Sequence, residues 1–566
     1  MIEYKPQWQI RSVFAWPALL IFLGAITVPF LVLRGQSTDK AAETPGARNL
    51  EEYIQGKPFN VGNQWVVLAD DYYLEDKIGI KRVIGHVLKS PNNPLVSADQ
   101  PWEDAINWAS VIYDKKAGLY HMWYTVYNSV AYHLTYEQYP SHSPERAQAI
   151  VEANRKHFYA YFVCYASSRD GKHWEKPMLG LHPFLDFDKT NIVMIGQSEV
   201  SQTNFWLNDD QSDPARRFLM TYTDGHDAPP DPDKKIFGES LMLAYSADGI
   251  HWQVDHKLSP LLTHDVPDGS YQTLFEKEQN RWLLYRRPDF HSAAAVRAGG
   301  FANVRPQRRY GVATNDRLGP GWTYPTLILV PDESVSRRDI DTMYVFREGT
   351  DYLAMLGEMD DSEDGVQEVH LVISHDGIHW SWFPYLPPLI PRGPKDSWDA
   401  GQIQPPKSIV TRGEFTYLYY AGVNEGQRME VGYDSNIGMA RLRTGRWIGL
   451  TSDASGGFVL TREMVVTGNQ LELNSHAINT PYMAPIMGRG VGYIQVELMR
   501  RDNVTQKLHP IPGFTFAESV PLTGDFDDGV VTWKGKADLS SLRGTPVYIR
   551  FHVVQSELWE MRFADK

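Results

Sequence analysis

Short apolar runs of strand length recur along the chain, and three of them end in the same seven-residue phrase. The runs cover residues 161–166, 241–245 and 369–373. Each leads into Ser-x-Asp-Gly-x-His-Trp, which begins at Ser168, Ser246 and Ser374. Asp-Gly is typical of a tight hairpin turn, because glycine adopts positive φ and the aspartate side chain bonds nearby backbone N–H groups. The pattern therefore predicts three hairpins built to one plan.

Five tryptophans mark the repeat of this strand and turn pattern. Two weaker copies end at Trp322 and Trp447, and the three full copies end at Trp174, Trp252 and Trp380. These tryptophans are about 60 to 80 residues apart, which is enough for four short strands and their loops. The spacing predicts an all-β fold with a five-bladed β-propeller over residues 59–452.

Two segments depart from this repeat. Residues 135–157 have a helical period and a capping signature around Ser143, so we expect a helical insertion in the first blade. After residue 452 the Asp-Gly-x-His-Trp phrase does not recur, and strand-like runs continue to the end of the chain. Residues 453–566 are therefore predicted to form a β-sandwich.

The beginning of the chain differs from all the rest. Residues 13–33 carry no charge, and as a helix they would be roughly 31 Å long, enough to cross a bilayer. A cleaved signal peptide is the alternative, but the apolar run is long for one. We predict a single transmembrane helix at 13–33, a cytoplasmic tail at 1–12 and a linker at 34–58. The bulk of the chain would then be periplasmic or extracellular, attached to the membrane.

Composition narrows the class of protein. The 566 residues have a net charge of −14, which argues against nucleic acid as a partner. Hydrophobic residues make up 42% of the chain, enough to bury large cores. Cys164 is the single cysteine, so no disulfide can form within the chain.

Several motifs occur beside the three repeated phrases. They are Pro101-Trp102-Glu103, Tyr120-His121-Met122-Trp123-Tyr124, Ser397-Trp398-Asp399-Ala400-Gly401, Ile511-Pro512-Gly513-Phe514 and Trp533-Lys534-Gly535. With these motifs the chain resembles bacterial proteins related to glycoside hydrolase families 32 and 43, which are five-bladed propellers with an appended β-sandwich. The resemblance covers roughly residues 60–566 and implies a carbohydrate as substrate or ligand.

The resemblance also implies where catalytic carboxylates would lie. Glycosidases of this kind hold carboxylates on the innermost strands around a central funnel, one as acid and one as nucleophile or base. Glu103 or Asp104 would come from the first blade, Asp268 from the third and Asp399 from a later one. The Arg-Asp-Pro and Glu-Cys motifs of family 32 are missing, so whether the chain is an enzyme stays open.

Arginines crowd the third blade of this acidic chain. Arg286, Arg287 and Arg308 are among them, and guanidinium groups suit the sulfate, phosphate or uronate groups of a substrate. We predict that these three arginines and Trp102 contact the substrate. The competing interpretation is a solvated face that pairs with nearby acids.

Other chemistries find no motif in the sequence. There is no glycine-rich phosphate loop, no His-Glu-x-x-His and no cysteine pair, so we predict neither a metal nor a cofactor. Two functions remain. One is a membrane-anchored, glycoside-hydrolase-like propeller that acts on or binds carbohydrate. The other is a noncatalytic docking subunit of a membrane complex with other membrane subunits, for example a photosynthetic reaction-centre–antenna assembly.

Overall fold

The structure is a computed structural model that describes residues 56–140, 143–208, 212–224, 240–263, 271–287, 308–331, 338–427, 434–477 and 492–566. The predicted tail, the predicted membrane helix at 13–33 and Asp268 lie outside these residues, as does nearly all of the linker. Within the described ranges, no helix is long and apolar enough to cross a bilayer. The membrane anchor therefore stays a prediction.

Four short strands come first in the described chain. They are β1 (Val66–Val67), β2 (Leu74–Ile78), β3 (Lys81–Ile84) and β4 (Leu88–Lys89). None of them pairs with the next strand along the chain. Each instead pairs with a strand that comes much later in the chain.

Five antiparallel sheets follow in chain order, and we number them I to V. Sheet I contains β5 (Ala105–Asp114), β6 (Leu119–Tyr127), β7 (Tyr161–Ser168) and β8 (Ile192–Ile195). Sheet II contains β9 (Ser201–Leu207), β10 (Phe218–Asp224), β11 (Ser240–Ser246), β12 (Gln253–Val254) and β13 (Leu262–Thr263). Sheet III contains β14 (Gln272–Glu276), β15 (Arg281–Arg286), β16 (Tyr310–Asn315) and β17 (Thr326–Leu329).

Sheets IV and V complete the series. Sheet IV contains β18 (Arg338–Glu348), β19 (Asp351–Asp360), β20 (Val366–Ser374) and β21 (Trp380–Trp382). Sheet V contains β22 (Gln402–Gln404), β23 (Ile409–Arg412), β24 (Phe415–Val423) and β25 (Ser435–Arg443), and β4 pairs with β25 at its outer edge. Gln367 and Gln402 form a parallel pair that joins the two sheets.

Each of these sheets shares a hydrophobic core with the next, and the fifth shares one with the first. The pairs of buried residues that represent these cores are Trp123 and Phe205, Leu243 and Leu284, Tyr285 and Leu356, Leu353 and Leu418, and Tyr419 and Met122. The strands are buried on both faces because each sheet packs between two neighbours, so their sequences read as apolar runs. The five sheets are thus joined neighbour to neighbour in a closed series.

The predicted helical insertion lies between β6 and β7. It consists of α1 (Ser129–Tyr132), a π-helical turn (His133–Glu137) and α2 (Pro144–Arg155). The side chain of Ser143 accepts a hydrogen bond from the backbone N–H of Arg146, which is the capping contact that the sequence predicts. Three short 3₁₀ helices occupy Pro214–Arg216, Asp361–Glu363 and Ser540–Leu542.

The remaining strands build two further sheets, VI and VII. They are β26 (Ile448–Thr451), β27 (Gly457–Thr461), β28 (Met464–Val465), β29 (Gln470–Ala477), β30 (Tyr493–Arg501), β31 (Leu508–Pro510), β32 (Asp525–Val530), β33 (Pro546–Val554) and β34 (Ser556–Ala564). Sheet VI joins β26, β29, β32 and β34 to β1 and β3. Sheet VII joins β27, β28, β30, β31 and β33 to β2.

One core lies between sheets VI and VII, and it changes the division of the chain. Phe59 and Leu74 are buried in it together with Leu473 and Phe551. Residues 59–84, which the sequence analysis assigned to the propeller, thus supply β1, β2 and β3 to the C-terminal sheets. Their apolar residues could not reveal this, because the pairing partners of these strands lie more than 300 residues further on.

Candidate functional site

Polar side chains from sheets III, IV and V meet at one edge of the sheets. In an antiparallel sheet, the first strand begins where the second strand ends and where the third begins. Arg287 follows the last residue of β15, Arg308 shortly precedes β16, and Asp339 and Asp341 lie near the start of β18. All four positions are at this edge, which we call the starting edge.

Asp341 is the centre of this cluster. A guanidinium nitrogen of Arg287 donates to the Asp341 carboxylate at 3.0 Å and to its backbone carbonyl at 3.1 Å. Arg308 donates to the same carboxylate oxygen at 3.0 Å and to the side-chain carbonyl of Gln427 at 3.1 Å. The backbone N–H of Arg308 also donates to Asp339 at 3.0 Å. Two guanidinium groups thus compensate the charge of one carboxylate.

A β-bulge places Asp341 in this position. In the pairing of β18 with β19, Ile340 is opposite Glu358 and Thr342 is opposite Gly357, so Asp341 has no partner. A bulge bends the strand and turns a side chain away from its regular direction. The bulge therefore directs Asp341 to the arginines of sheet III.

Sheets I and II have bulges at the same edge. The register of β5 shifts after Asn107, where Trp108 has a φ of 50°, and that of β9 shifts near Gln202, where φ is 51°. A residue other than glycine in the left-handed region costs about 1 to 3 kcal/mol. Such strain concentrates at functional sites. Three of the five first strands are thus distorted close to the starting edge.

Lys407 of sheet V adds a buried amine. Its side chain is 2% exposed, and its backbone N–H donates to the carbonyl of Ala109 in β5 at 3.3 Å. Burial lowers the pKa of Lys407 to about 7, although the nearby Asp341 raises it and Arg287 lowers it further. This amine therefore exchanges a proton near neutral pH.

Trp102 and Glu103, both predicted from the sequence, lie just before β5, the first strand of sheet I. The Trp102 indole donates to the side chain of Asn191 at 2.9 Å. The carboxylate of Glu103 accepts from the Tyr124 hydroxyl at 2.6 Å and from the Lys176 ammonium at 2.5 Å. Both side chains are buried, and these contacts hold the entry to β5 against β6 and β8.

Asp104 and Asp399 make separate contacts. The carboxylate of Asp104 accepts from the backbone N–H of Ser129 at 2.8 Å, at the first turn of α1. Asp399 accepts from the Lys89 ammonium at 2.6 Å and from the Tyr420 hydroxyl at 3.0 Å. The structure joins neither residue to the Asp341 cluster through these contacts.

Of the predicted substrate-binding arginines, the structure brings two together. Arg287 and Arg308 meet at Asp341, while Arg286 is buried at the end of β15. The residues that sequence reasoning missed are Asp339, Asp341 and Lys407. Asp339 and Asp341 occupy alternate positions at the start of a strand-like run. Solvent-facing residues of a strand show the same alternation, so this pattern did not mark the aspartates as part of a site.

The described part of the chain holds no group of three or more His, Cys, Asp or Glu residues placed to bind a metal ion. The side chains of the Asp341 cluster offer three kinds of chemistry. Arginines donate hydrogen bonds in a fixed geometry, a carboxylate accepts them, and an amine of near-neutral pKa transfers protons.

No protein-family model matches the sequence, and no curated protein matches it. Among solved structures, one named only as a glycoside hydrolase is 12% identical with a TM-score of 0.39, over 70% of this chain and 96% of that chain.

Two further solved structures show the same level of likeness. A β-1,2-mannobiose phosphorylase from Listeria innocua, in complex with β-1,2-mannobiose, is 11% identical with a TM-score of 0.41, over 63% of this chain and 97% of that chain. A fructofuranosidase from Schwanniomyces occidentalis, complexed with fructosylnystose, is 10% identical with a TM-score of 0.37, over 85% of this chain and 100% of that chain. Scores this low carry no argument about this chain, whose fold and site rest on its own geometry.

Proposed function

We propose that the chain acts on or binds carbohydrate at the starting edge of sheets I to V, in the manner of a glycoside hydrolase. In this proposal the five sheets are the blades of a β-propeller, which β4 closes at the outer edge of sheet V. Sheets VI and VII form a β-sandwich. The closed series of shared cores supports the propeller, because each sheet packs between its two neighbours in the series.

One observation carries the assignment of the site. Arg287 and Arg308 of sheet III meet Asp341 of sheet IV at the edge where the first strands begin. Arg308 also bonds Gln427, which follows β24 of sheet V, and the charge of Asp341 acts on the buried Lys407 of the same sheet. A sugar presents many hydroxyl groups, and a site that recognises it needs donors and acceptors in a fixed arrangement. The paired guanidinium groups and the carboxylate supply both, and neighbouring sheets hold them rigidly.

The roles follow from the chemistry of glycoside hydrolysis. That reaction needs two carboxyl groups on opposite sides of the bond, about 5 to 10 Å apart. We assign one role to Asp341. We assign the second to Asp268, because it comes shortly before β14, the first strand of sheet III, and first strands begin at the starting edge. Lys407 would exchange a proton with the substrate or with one of these carboxyl groups.

The test is turnover by the full-length chain in mild detergent, with a panel of p-nitrophenyl glycosides and oligosaccharides. Asp341→Asn and Asp268→Asn should each lower kcat at least about 100-fold, which is the usual contribution of a positioned acid or base. Asp316→Asn is the matched control, because Asp316 is an exposed carboxylate that follows β16, at the edge of sheet III opposite the starting edge. It should leave kcat unchanged.

A binding measurement tests the alternative that the site binds carbohydrate without hydrolysing it. Calorimetric titration with the same oligosaccharides should show binding that Asp341→Asn weakens and Asp316→Asn preserves. Thermal unfolding of each variant confirms that the fold is retained. Wild-type turnover or binding by Asp341→Asn, or no turnover and no binding of any sugar by the wild type, contradicts the proposal.

A further inference from the structure

A groove lies on the outer face of sheet VII, apart from the site described above. Its volume is about 360 Å³, and its lining includes Ile78, Phe458, Leu460, Phe516 and Arg550. Ile78 is opposite Phe458 in the pairing of β2 with β27, so both side chains are on the same face of the sheet. Their exposed fractions are 68% and 39%, which is high for large apolar side chains on a sheet.

An aromatic ring, that of Phe458, lines one end of this groove. The rings of Phe458 and His552 are stacked, with centroids 4.5 Å apart and planes that differ by 10°, and we call this pair the platform. Phe516 also lines the groove, with its centroid 6.0 Å from that of Phe458 and its plane inclined by 56°. His552 thus supports one face of the Phe458 ring, while the Phe458 side chain remains partly exposed in the groove.

The stacked pair carries no charge near neutral pH. Burial lowers the pKa of His552, because a partly dry surrounding disfavours the protonated ring. An uncharged imidazole keeps the face of the platform apolar. The groove is therefore not a site for an anion held by this histidine.

Charged groups flank Leu460, two residues along β27 from Phe458. On one side, Arg550 is opposite Leu460 in β33, and its guanidinium is bonded to Glu497 and lies 5.1 Å from the centre of the Phe516 ring. On the other side, Asp76 is opposite Leu460 at the edge strand β2, and its side chain is exposed. A hydrogen-bond donor and an acceptor thus lie close to the aromatic end of the groove.

We propose that this groove binds a sugar ring of a polysaccharide. It would do so separately from the site around Asp341, which we call the central site. A pyranose has an apolar face of C–H groups and a rim of hydroxyl groups. The C–H face fits the negative face of an aromatic ring, and the hydroxyls find Asp76 and Arg550 at the rim. The volume of about 360 Å³ suits one or two sugar units. The β-sandwich would thus hold a polysaccharide whose glycosidic bonds are bound at the central site.

The test is affinity electrophoresis of the full-length chain in detergent gels that contain xyloglucan, galactomannan, inulin or polygalacturonate. At least one polymer should retard the wild type, and Phe458→Ala should weaken that binding about tenfold through the loss of the aromatic contact. Phe526→Ala is the matched control. Phe526 is 38% exposed on sheet VI, so it loses the same exposed ring elsewhere on the sandwich.

The outcomes separate this site from the central one. Phe458→Ala should keep the wild-type turnover of small p-nitrophenyl glycosides, and Asp341→Asn should keep the wild-type retardation. Retardation that Asp341→Asn abolishes and Phe458→Ala leaves intact overturns the sandwich site, as does the absence of retardation in all four gels.

Light scattering of both phenylalanine variants completes the test. A change of oligomeric state in Phe458→Ala with normal retardation would assign the groove to a second copy of the chain and overturn the proposal.

Discussion

At the scale of single residues, the repeated turn explains most of the regularity of the chain. In the second copy, the Ser246 hydroxyl accepts from the backbone N–H of Gly249 at 2.9 Å. One oxygen of Asp248 accepts from the backbone N–H groups of Ile250 and His251 at 2.9 and 2.8 Å. The first and third copies contain the same contacts. Each turn is thus closed by side chains within four residues of its centre.

The glycine of each turn also contacts the preceding sheet. Its carbonyl accepts a hydrogen bond from an aromatic residue in an inner strand of that sheet: the pairs are Gly171 with Tyr419, Gly249 with Trp123, and Gly377 with Tyr285. The first pair joins sheet I to sheet V, so the same contact also closes the series. Glycine is required at these positions for two reasons. It adopts the positive φ of the turn, and its lack of a Cβ lets the aromatic side chain approach closely.

This close approach can be tested by substitution. In Gly249→Ala the new Cβ would lie 2.7 Å from the Trp123 ring, at a φ of +77°. In the control Gly118→Ala the φ is +62°, and no atom lies within 4 Å of the new Cβ. We expect Gly118→Ala to cost about 1 to 2 kcal/mol of unfolding free energy through its backbone alone. Gly249→Ala should cost about 1 to 3 kcal/mol more through overpacking, as measured by urea denaturation. Equal costs for the two variants would contradict the inter-sheet contact.

At the scale of elements, the short strand β4 holds the two ends of the series together. Its residues Leu88 and Lys89 pair with Arg441 and Ala440 of β25. The Lys89 ammonium also donates to Asp399, 310 positions away along the chain. The Asp399 side chain is only 5% exposed, so this ion pair is largely shielded from water. The contact fixes the N-terminal strand to sheet V.

Loss of this contact should loosen β4. In Asp399→Asn the lysine loses its charged partner, and we expect a cost of about 1 to 3 kcal/mol with faster hydrogen exchange in residues 88–89 and 437–441. Lys77→Met is the control, because its partner Asp71 is 63% exposed and such surface pairs contribute little. Asp399→Asn also tests the sequence-based prediction that Asp399 is a catalytic residue. An Asp399→Asn protein with normal stability and normal exchange but no turnover would favour that prediction over the closing contact.

At the scale of the whole molecule, buried acids lie where sheet VI meets sheets IV and V. Glu348 ends β18 and accepts from the Trp447 indole at 2.6 Å, while Glu560 is buried in β34. Burial raises the pKa of Glu348 and raises that of Glu560 well above its usual range, and the charge of Glu348 adds to the second shift. Both groups therefore hold protons in the folded protein at a pH where they would lose them in the unfolded chain.

The sign of the pH dependence follows from these raised values. The folded state binds more protons than the unfolded state, so stability is fully present below the unfolded pKa of about 4.3 and falls as the pH rises through the folded pKa. Glu560→Gln removes this loss. We expect its unfolding midpoint to exceed that of the wild type at pH 8, by about 2 to 4 °C for each kcal/mol gained, and to match it at pH 4. Glu414→Gln, an exposed glutamate, is the control. A midpoint lowered equally at both pH values would show that Glu560 acts as a hydrogen-bond partner and not through its charge.

The chain itself determined the features that depend on near neighbours in sequence. The all-β class, the repeated turns, the helical insertion with its Ser143 cap and the strand-rich C-terminal part all follow from spacings of a few residues. A turn closed by Ser246, Asp248 and Gly249 forms the same way wherever the chain continues, because its hydrogen bonds stay within the phrase. Local chemistry of this kind can be predicted without any knowledge of partners.

Tertiary structure alone decided which side chains meet. Glu103 and Asp399 stand in dense motifs, yet their oxygens bond Lys176 and Lys89, whereas Asp341 stands in no motif and receives two arginines. The early strands β1 to β3 likewise find their partners hundreds of residues later. The physical reason is that the charge, burial and direction of a side chain depend on groups from other sheets. Those groups become neighbours only when the sheets close around one another.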